Sequence, residues 1–302
     1  MRRLALAALL ALALGGCGAA PAPQRPALAL GLVGEPLAAA PILLAQDEVP
    51  LPLEIRRGAA ALTAPYLLAP SSVLPELARQ GWVVLGAACA TPPDVLLWHE
   101  GGLFGWSALD KQSLYVAPGA DAGALGAAIA RYRGVISPLP EPTAQRGGIA
   151  GFEEDPGSFL LAPEPTAADL LVSGRAELAQ PLPDELGPYP TCLVLAQAKV
   201  LQADPLLSER LLRAMNLGLW RFATESPGQI ALALRPLSPA TSPAGLLRSV
   251  LTARREDVFP TSVTLSAAVT SALVSEFPRG RLSDGALAPG PSLRALRDPF
   301  RP

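Results

Sequence analysis

From Leu28 to Ala196 the chain alternates short apolar runs, closed by glycine or proline, with stretches that carry helix-start signals; no other feature limits its fold so strongly. Leu28–Leu32, Leu51–Ile55, Tyr66–Ala69, Trp82–Ala87, Asp94–Trp98, Leu114–Val116, Phe159–Ala162 and Thr191–Ala196 have the length and the boundaries of strands. Between them Ala38–Gln46, Val73–Gln80 behind Ser71-Ser72, Ala122–Tyr132 behind Asp121, and Asp169–Val172 read as helices. In the Ala122–Tyr132 stretch, Leu125, Ile129 and Tyr132 form one buried stripe. Longer helices follow. One starts at Asp204-Pro205, buries Leu207, Leu211, Met215, Phe222 and also Trp220, and stops at Ser226-Pro227-Gly228. Others run from Ser242-Pro243 toward Asp257 and from about Ser262 to Phe277. Strands joined through helices favour an α/β fold with mostly parallel sheets, because a parallel neighbour needs a crossover connection.

The first residues constrain where this body works. Arg2 and Arg3 precede the apolar run Leu4–Leu14, which is well short of the roughly 20 residues that span a bilayer, and Gly15-Gly16 then lead to Cys17. This is the pattern of a bacterial lipoprotein signal: residues 1–16 are the signal peptide, Cys17 is the lipidated first mature residue, and residues 17–26 form a tether. The expected location is therefore extracytoplasmic, anchored to the cell membrane. No later segment reaches transmembrane length, and the Pro-, Gly- and Arg-rich residues 278–302 read as a tail.

A net charge of −2 without a run of like charges gives no electrostatic footprint for nucleic acid. A single histidine, His99, and two widely spaced cysteines after Cys17 do not supply a metal site, and no Gly-x-Ser-x-Gly elbow, phosphate loop or dinucleotide fingerprint is present. We therefore expect no catalytic residues, no metal and no cofactor. Cys89 and Cys192 read either as two small buried thiols or as one bridge. His99, beside a glycine pair, reads as a solvated loop residue.

Open parallel sheets hold ligands beyond the carboxyl ends of their strands, beside helix starts. That rule selects Glu35, Ser71, Ser72, Thr91, Asp121, Glu164, Thr166, Tyr189 and Thr191 as ligand-binding candidates. Several have plainer readings. Ser71 or Ser72 can serve as an N-cap, Glu164 can be neutralised by an arginine, and Tyr189 can pack a hinge. Asp121 at a helix start opposes a phosphate, sulfonate or nitrate there, whereas Glu164 suits a cationic or donor-bearing ligand. Thr166 and Thr191 can bond a heterocycle edge, Tyr189 can stack on a flat ring, and Trp98 and Trp106 can form stacking walls.

In order along the chain, Leu28–Leu32 with Ala38–Gln46, the segment Phe104-Gly-Trp-Ser-Ala-Leu109 before Asp110-Lys111, the element Glu164-Pro-Thr-Ala167, and Gly187-Pro-Tyr-Pro-Thr191 stand ahead of the helix after Asp204-Pro205. This order resembles the extracellular solute-binding proteins of ATP-binding-cassette (ABC) importers, in the group that binds sulfonates, nitrate and thiamine or flavin precursors. The chain departs from that pattern in Asp110, where the group has glycine, and in Pro190, which separates Tyr189 from Thr191. The resemblance implies a type II periplasmic-binding-protein-like fold: two α/β lobes, each a mostly parallel sheet flanked by helices, joined by two crossing strands. Carried onto this chain, lobe one is 27–97 plus 192–277 and lobe two is 98–191, with crossings near Trp98–Gly102 and Gly187–Cys192. It implies a monomer that captures a small-molecule ligand, leaning to a pyrimidine- or flavin-type vitamin precursor, and delivers it to an ABC permease and its ATPase. Two other readings remain open: an enzyme on the same fold, such as a menaquinone-pathway dehydratase, and a degenerate surface lipoprotein with an interaction role.

Overall fold

A computed structural model describes residues 27–49, 51–131, 141–186 and 190–265. The first section of chain builds β1 (Leu28–Leu32), α1 (Ala40–Leu44), β2 (Leu53–Arg57), β3 (Tyr66–Pro70), α2 (Leu74–Arg79) and β4 (Trp82–Cys89). The middle section gives β5 (Asp94–Trp98), β6 (Ser113–Val116), α3 (Ala122–Arg131), β7 (Thr143–Ala144), α4 (Gly148–Glu154), β8 (Phe159–Pro163), α5 (Thr166–Val172), β9 (Glu177–Pro181) and α6 (Leu182–Leu186). The last section returns as β10 (Cys192–Gln197), followed by α7 (Ala198–Ala203), α8 (Pro205–Thr224), α9 (Pro227–Leu234) and α10 (Pro243–Arg255).

Two five-stranded sheets result, with strand orders β2-β1-β3-β10-β4 and β7-β6-β8-β5-β9. Each is parallel except for the one strand through which the chain arrives from the other sheet: β10 is antiparallel to β3 and β4, and β5 to β8 and β9. The strands β1, β3, β4, β5, β8 and β10 are almost wholly buried, as expected for sheets covered by helices on both faces. The expected two-lobe α/β architecture is therefore present. The first change of sheet falls earlier than the sequence suggests. Asp94–Trp98 pairs with Phe159–Pro163 in the second sheet, so the chain crosses between Cys89 and Asp94 and not at Trp98–Gly102. The glycine pair Gly101-Gly102 lies at the far end of β5, beyond Trp98.

Helix starts follow the local chemistry. Asp121 Oδ1 accepts from the N–H of Gly123 at 2.9 Å, Asp204 Oδ1 from Leu207 at 3.0 Å, and Ser242 Oγ from Gly245 at 3.0 Å. Ser226 does more than end α8; with Gln229 it forms a capping box that starts α9. Along α8 the core face carries Leu211, Leu212, Met215, Leu219 and Phe222. Trp220 falls on the opposite face and is 51% exposed, so the expected core role does not hold. The helix expected from Ser262 does not begin there. Ala87 and Ala90 donate backbone bonds to Val263 and Val258, which draws this segment along β4, and residues 266–277 lie outside those described.

Close packing of α8 on α1 requires Gly218, where a Cβ would stand 1.7 Å from the Pro41 carbonyl oxygen. Gly218→Ala is expected to lower the unfolding free energy by about 3 kcal/mol in a denaturant titration. Gly228→Ala, with open space around it, is expected to change it by no more than about 1 kcal/mol.

Candidate functional site

In the first sheet β1, β3 and β4 run in the same direction, so Glu35, Ser71 and Thr91 follow their carboxyl ends on one edge. The second sheet presents the carboxyl ends of β6 and β8, and the start of the antiparallel β5, as the corresponding edge. Gly119, Asp121, Glu164 and Asp94 stand there. The two edges face each other. Gly119 has φ of +90°, and a Cβ on it would lie 2.0 Å from Glu35 Oε1, so the Glu35 carboxyl of one lobe rests over the bare backbone of the other.

The sequence-selected candidates mostly converge on this seam. Ser71 N–H donates to the Thr191 carbonyl at 2.8 Å, and Thr191 Oγ1 donates to the Thr91 carbonyl at 2.9 Å, which ties the two crossing segments to the end of β3. Ser71 does not cap α2: its Oγ is buried and has no hydrogen-bond partner among the described residues. Thr91 Oγ1 and Asp121 Oδ2 are likewise buried and unpartnered. Ser72 is exposed, Thr166 opens α5 half-buried, and Tyr189 lies outside the described residues.

Trp98 and Trp106 are not stacking walls. Trp98 stacks on Phe159 with ring centroids 5.9 Å apart, and with Trp106 and Phe104 it builds the core of lobe two at the end of the sheet away from the seam. His99 is not a solvated loop residue either, since its ring stacks on Phe152 at 4.0 Å and Nε2 bonds the Phe152 carbonyl oxygen at 2.8 Å.

Sequence reasoning missed Asp94, which occupies the first position of β5 at 2% exposure. Its Oδ1 accepts from the Asp121 N–H at 3.3 Å. A charged residue directly after Pro92-Pro93, opening an otherwise apolar strand, was the available signal. Burial pushes the Asp94 carboxyl up to about 8, and the Asp121, Glu35 and Glu164 charges add to it. Burial pushes Glu35 up to about 7 against the pull of Arg57, with Glu164 adding to the rise. It pushes Glu164 to about 7 as well, although the Ala168 N–H bonds Oε2 at 3.2 Å and Arg248 and Arg255 act from α10. Asp121 is raised by burial too, held back by the Ala124 and Gly123 N–H groups. Among the described residues no arginine or lysine forms an ion pair with any of these four carboxyls. Such an arrangement accepts hydrogen bonds and attracts positive charge; no described His, Cys, Asp or Glu cluster could hold a metal ion.

A third contact closes the seam from the side. The Ser242 N–H donates to Asp169 Oδ1 at 3.0 Å, and Gly245 packs on Asp169, so α10 of the first lobe abuts α5 of the second. At its end Glu256 is raised by burial and by hydrogen-bond contact with Asp184 of α6.

Solved structures share this plan. An alkanesulfonate-binding protein from Xanthomonas axonopodis pv. citri, bound to MOPS, superposes with a TM-score of 0.61 at 16% identity, over 82% of this chain and 90% of the other. The ligand-binding component of an ABC-type import system from Staphylococcus aureus, with zinc bound, gives 0.65 at 11% identity over 89% and 98%. A periplasmic aliphatic sulphonate-binding protein from Escherichia coli gives 0.63 at 15% identity over 82% and 89%. The fold is that of the two-lobe solute-binding proteins. No protein-family model and no curated protein matches the chain. No helix among the described residues is long and apolar enough to cross a membrane.

The raised carboxyls set the sign of the pH dependence. Each binds its proton more tightly folded than unfolded, so the native state holds more protons between about pH 4 and pH 8 and loses stability as pH rises through that window. The ligand-free protein is expected to melt several degrees higher at about pH 5 than at about pH 8. Asp94→Asn, which keeps an acceptor for the Asp121 N–H, should flatten that profile; an unchanged slope would contradict the assignment.

Proposed function

We propose that this chain is the solute-binding component of an ABC importer. It is held outside the cytoplasm by a lipid on Cys17, works as a monomer, and passes a small organic ligand to a permease driven by a separate ATPase. It binds without chemistry. The observation that carries the reading is the seam itself: facing strand ends of two lobes enclose buried carboxyls that are only partly hydrogen-bonded, and Ser71 Oγ, Thr91 Oγ1 and Asp121 Oδ2 have no partner among the described residues. The fold shared with transport binding proteins supports it.

Binding would act as a population shift. A ligand that touches Glu35 and Ser71 on one lobe and Asp121 and Glu164 on the other gains its full contact only when the lobes close, and that extra affinity sets the degree of closure. The ligand would be rich in N–H donors, because each buried carboxyl can accept from it and release its own proton as such a guest arrives, whereas an anion would hold those protons in place and gain no opposite charge from the seam. This favours a flat, donor-bearing heterocycle of the aminopyrimidine type, with Tyr189 as its stacking partner. Sulfonate and nitrate, the ligands of several proteins with this fold, suit the seam poorly.

Two measurements test this. In a thermal-shift screen of the full chain in detergent, an aminopyrimidine or flavin-type compound should raise the melting point with the logarithm of its concentration, and sulfonates and nitrate should not. Glu164→Gln and Ser71→Ala should each weaken the binder at least tenfold, about 1.4 kcal/mol. Cys17→Ser should release the protein from the membrane fraction of an exporting host, and continued tight attachment would contradict the anchor.

A further inference from the structure

We infer that Cys89 and Cys192 are a disulfide pair that staples the two crossing segments together on the lobe-one side of the hinge. Cys89 is the last residue of β4, immediately before the chain leaves the first sheet, and Cys192 is the first residue of β10, immediately after it returns. In the β10–β4 ladder the two stand opposite each other as direct partners. The register shift beside them leaves Ala88 without a partner, a bulge at the end of β4. Both side chains are buried in the same hydrophobic cluster, hence on the same face of the sheet, and the Cys192 thiol is near enough to raise that of Cys89. Opposite residues of an antiparallel pair have Cα atoms about 4.5–5.5 Å apart, inside the roughly 4.4–6.8 Å that a disulfide spans. Both are free thiols in this structure.

Closing the bridge breaks the two S–H bonds and makes one S–S bond. The two protons and two electrons pass to a disulfide oxidant, which is reduced to two thiols. In the folded protein the Cys89 thiol is held protonated by its contact with Cys192, by burial and by the nearby Asp94, so it is a poor nucleophile. The exchange therefore belongs to folding, before β4 and β10 pack. Once made, the bridge closes a loop that contains the entire second sheet, and it fixes the point from which both crossings leave lobe one. Lobe motion then bends the crossing at residues 90–93 without parting β4 from β10.

The bridge in cells rests on the proposed export, whereas the pairing does not, and the test separates them. The full chain, made in an exporting bacterial host, is acid-quenched, alkylated under denaturing conditions and digested without reduction. The expected product is one peptide pair linking Cys89 to Cys192. In parallel the detergent-purified chain is reduced, unfolded in urea and returned to a glutathione redox buffer, where the same linked pair should dominate over mixed disulfides with glutathione. Reductant should lower the melting point of the parent protein and leave that of the Cys89→Ala/Cys192→Ala variant unmoved. Free or glutathionylated cysteines in the redox buffer would overturn the pairing. A link formed there but absent from the exporting cells would uphold the pairing and overturn the export.

Discussion

Four carboxyl groups, Glu35, Asp94, Asp121 and Glu164, are held largely out of water where the edges of two sheets meet, and the character of the molecule depends on that. Removing a carboxylate from water is costly unless opposite charge or hydrogen-bond donors replace the solvent. Here the replacement is partial: the N–H groups of Ala168, Gly123 and Ala124 serve Glu164 and Asp121, and the Asp121 N–H serves Asp94. The remaining deficit is met by protons, which is why burial raises all four. A seam of this kind holds acceptor capacity in reserve for a guest with donors.

Topology, not local sequence, makes the seam. Parallel strands deliver Glu35 and Ser71 to one edge and Gly119 and Glu164 to the other. The single antiparallel strand in each sheet brings the crossings to the same place, since Asp94 pairs with Pro163, next to Glu164, and Cys192 pairs with Pro70, next to Ser71. The two lobes are thus joined at the position where a ligand would bridge them. The helix α10, whose Leu246, Val250 and Ala253 belong to the core of lobe one, reaches across to Asp169 and gives closure a second line of contact.

Much of the fold was legible because parallel, doubly covered strands are continuous apolar runs. Leu28–Leu32 and Asp94–Trp98 match residue for residue, and the other expected strands differ by a few residues at their ends. What escaped had weak local signals. The edge strand β9 mixes polar and apolar residues, α4 carries two glycines, and the capping box at Ser226 read as a stop because proline and glycine follow it. Trp220 was misplaced because aromatic size suggests a core, whereas its helical phase turns it outward. The strand-end rule selected Glu35, Ser71, Thr91, Asp121, Glu164 and Thr191, which the fold brings to one seam, but the mutual influence of the carboxyls there was invisible: a chain with no run of acids gathers them from four separate loops only on folding. Asp94 was lost to the same cause, being read as part of a strand and not as the edge of a lobe.

The central claim is that a guest is held across this seam by both lobes at once. A crystal structure of the complex with the strongest binder tests it most directly. Ligand density in contact with Glu35 or Ser71 on one side and with Asp121 or Glu164 on the other is the predicted result; a ligand bound to one lobe alone, or away from these residues, would contradict it.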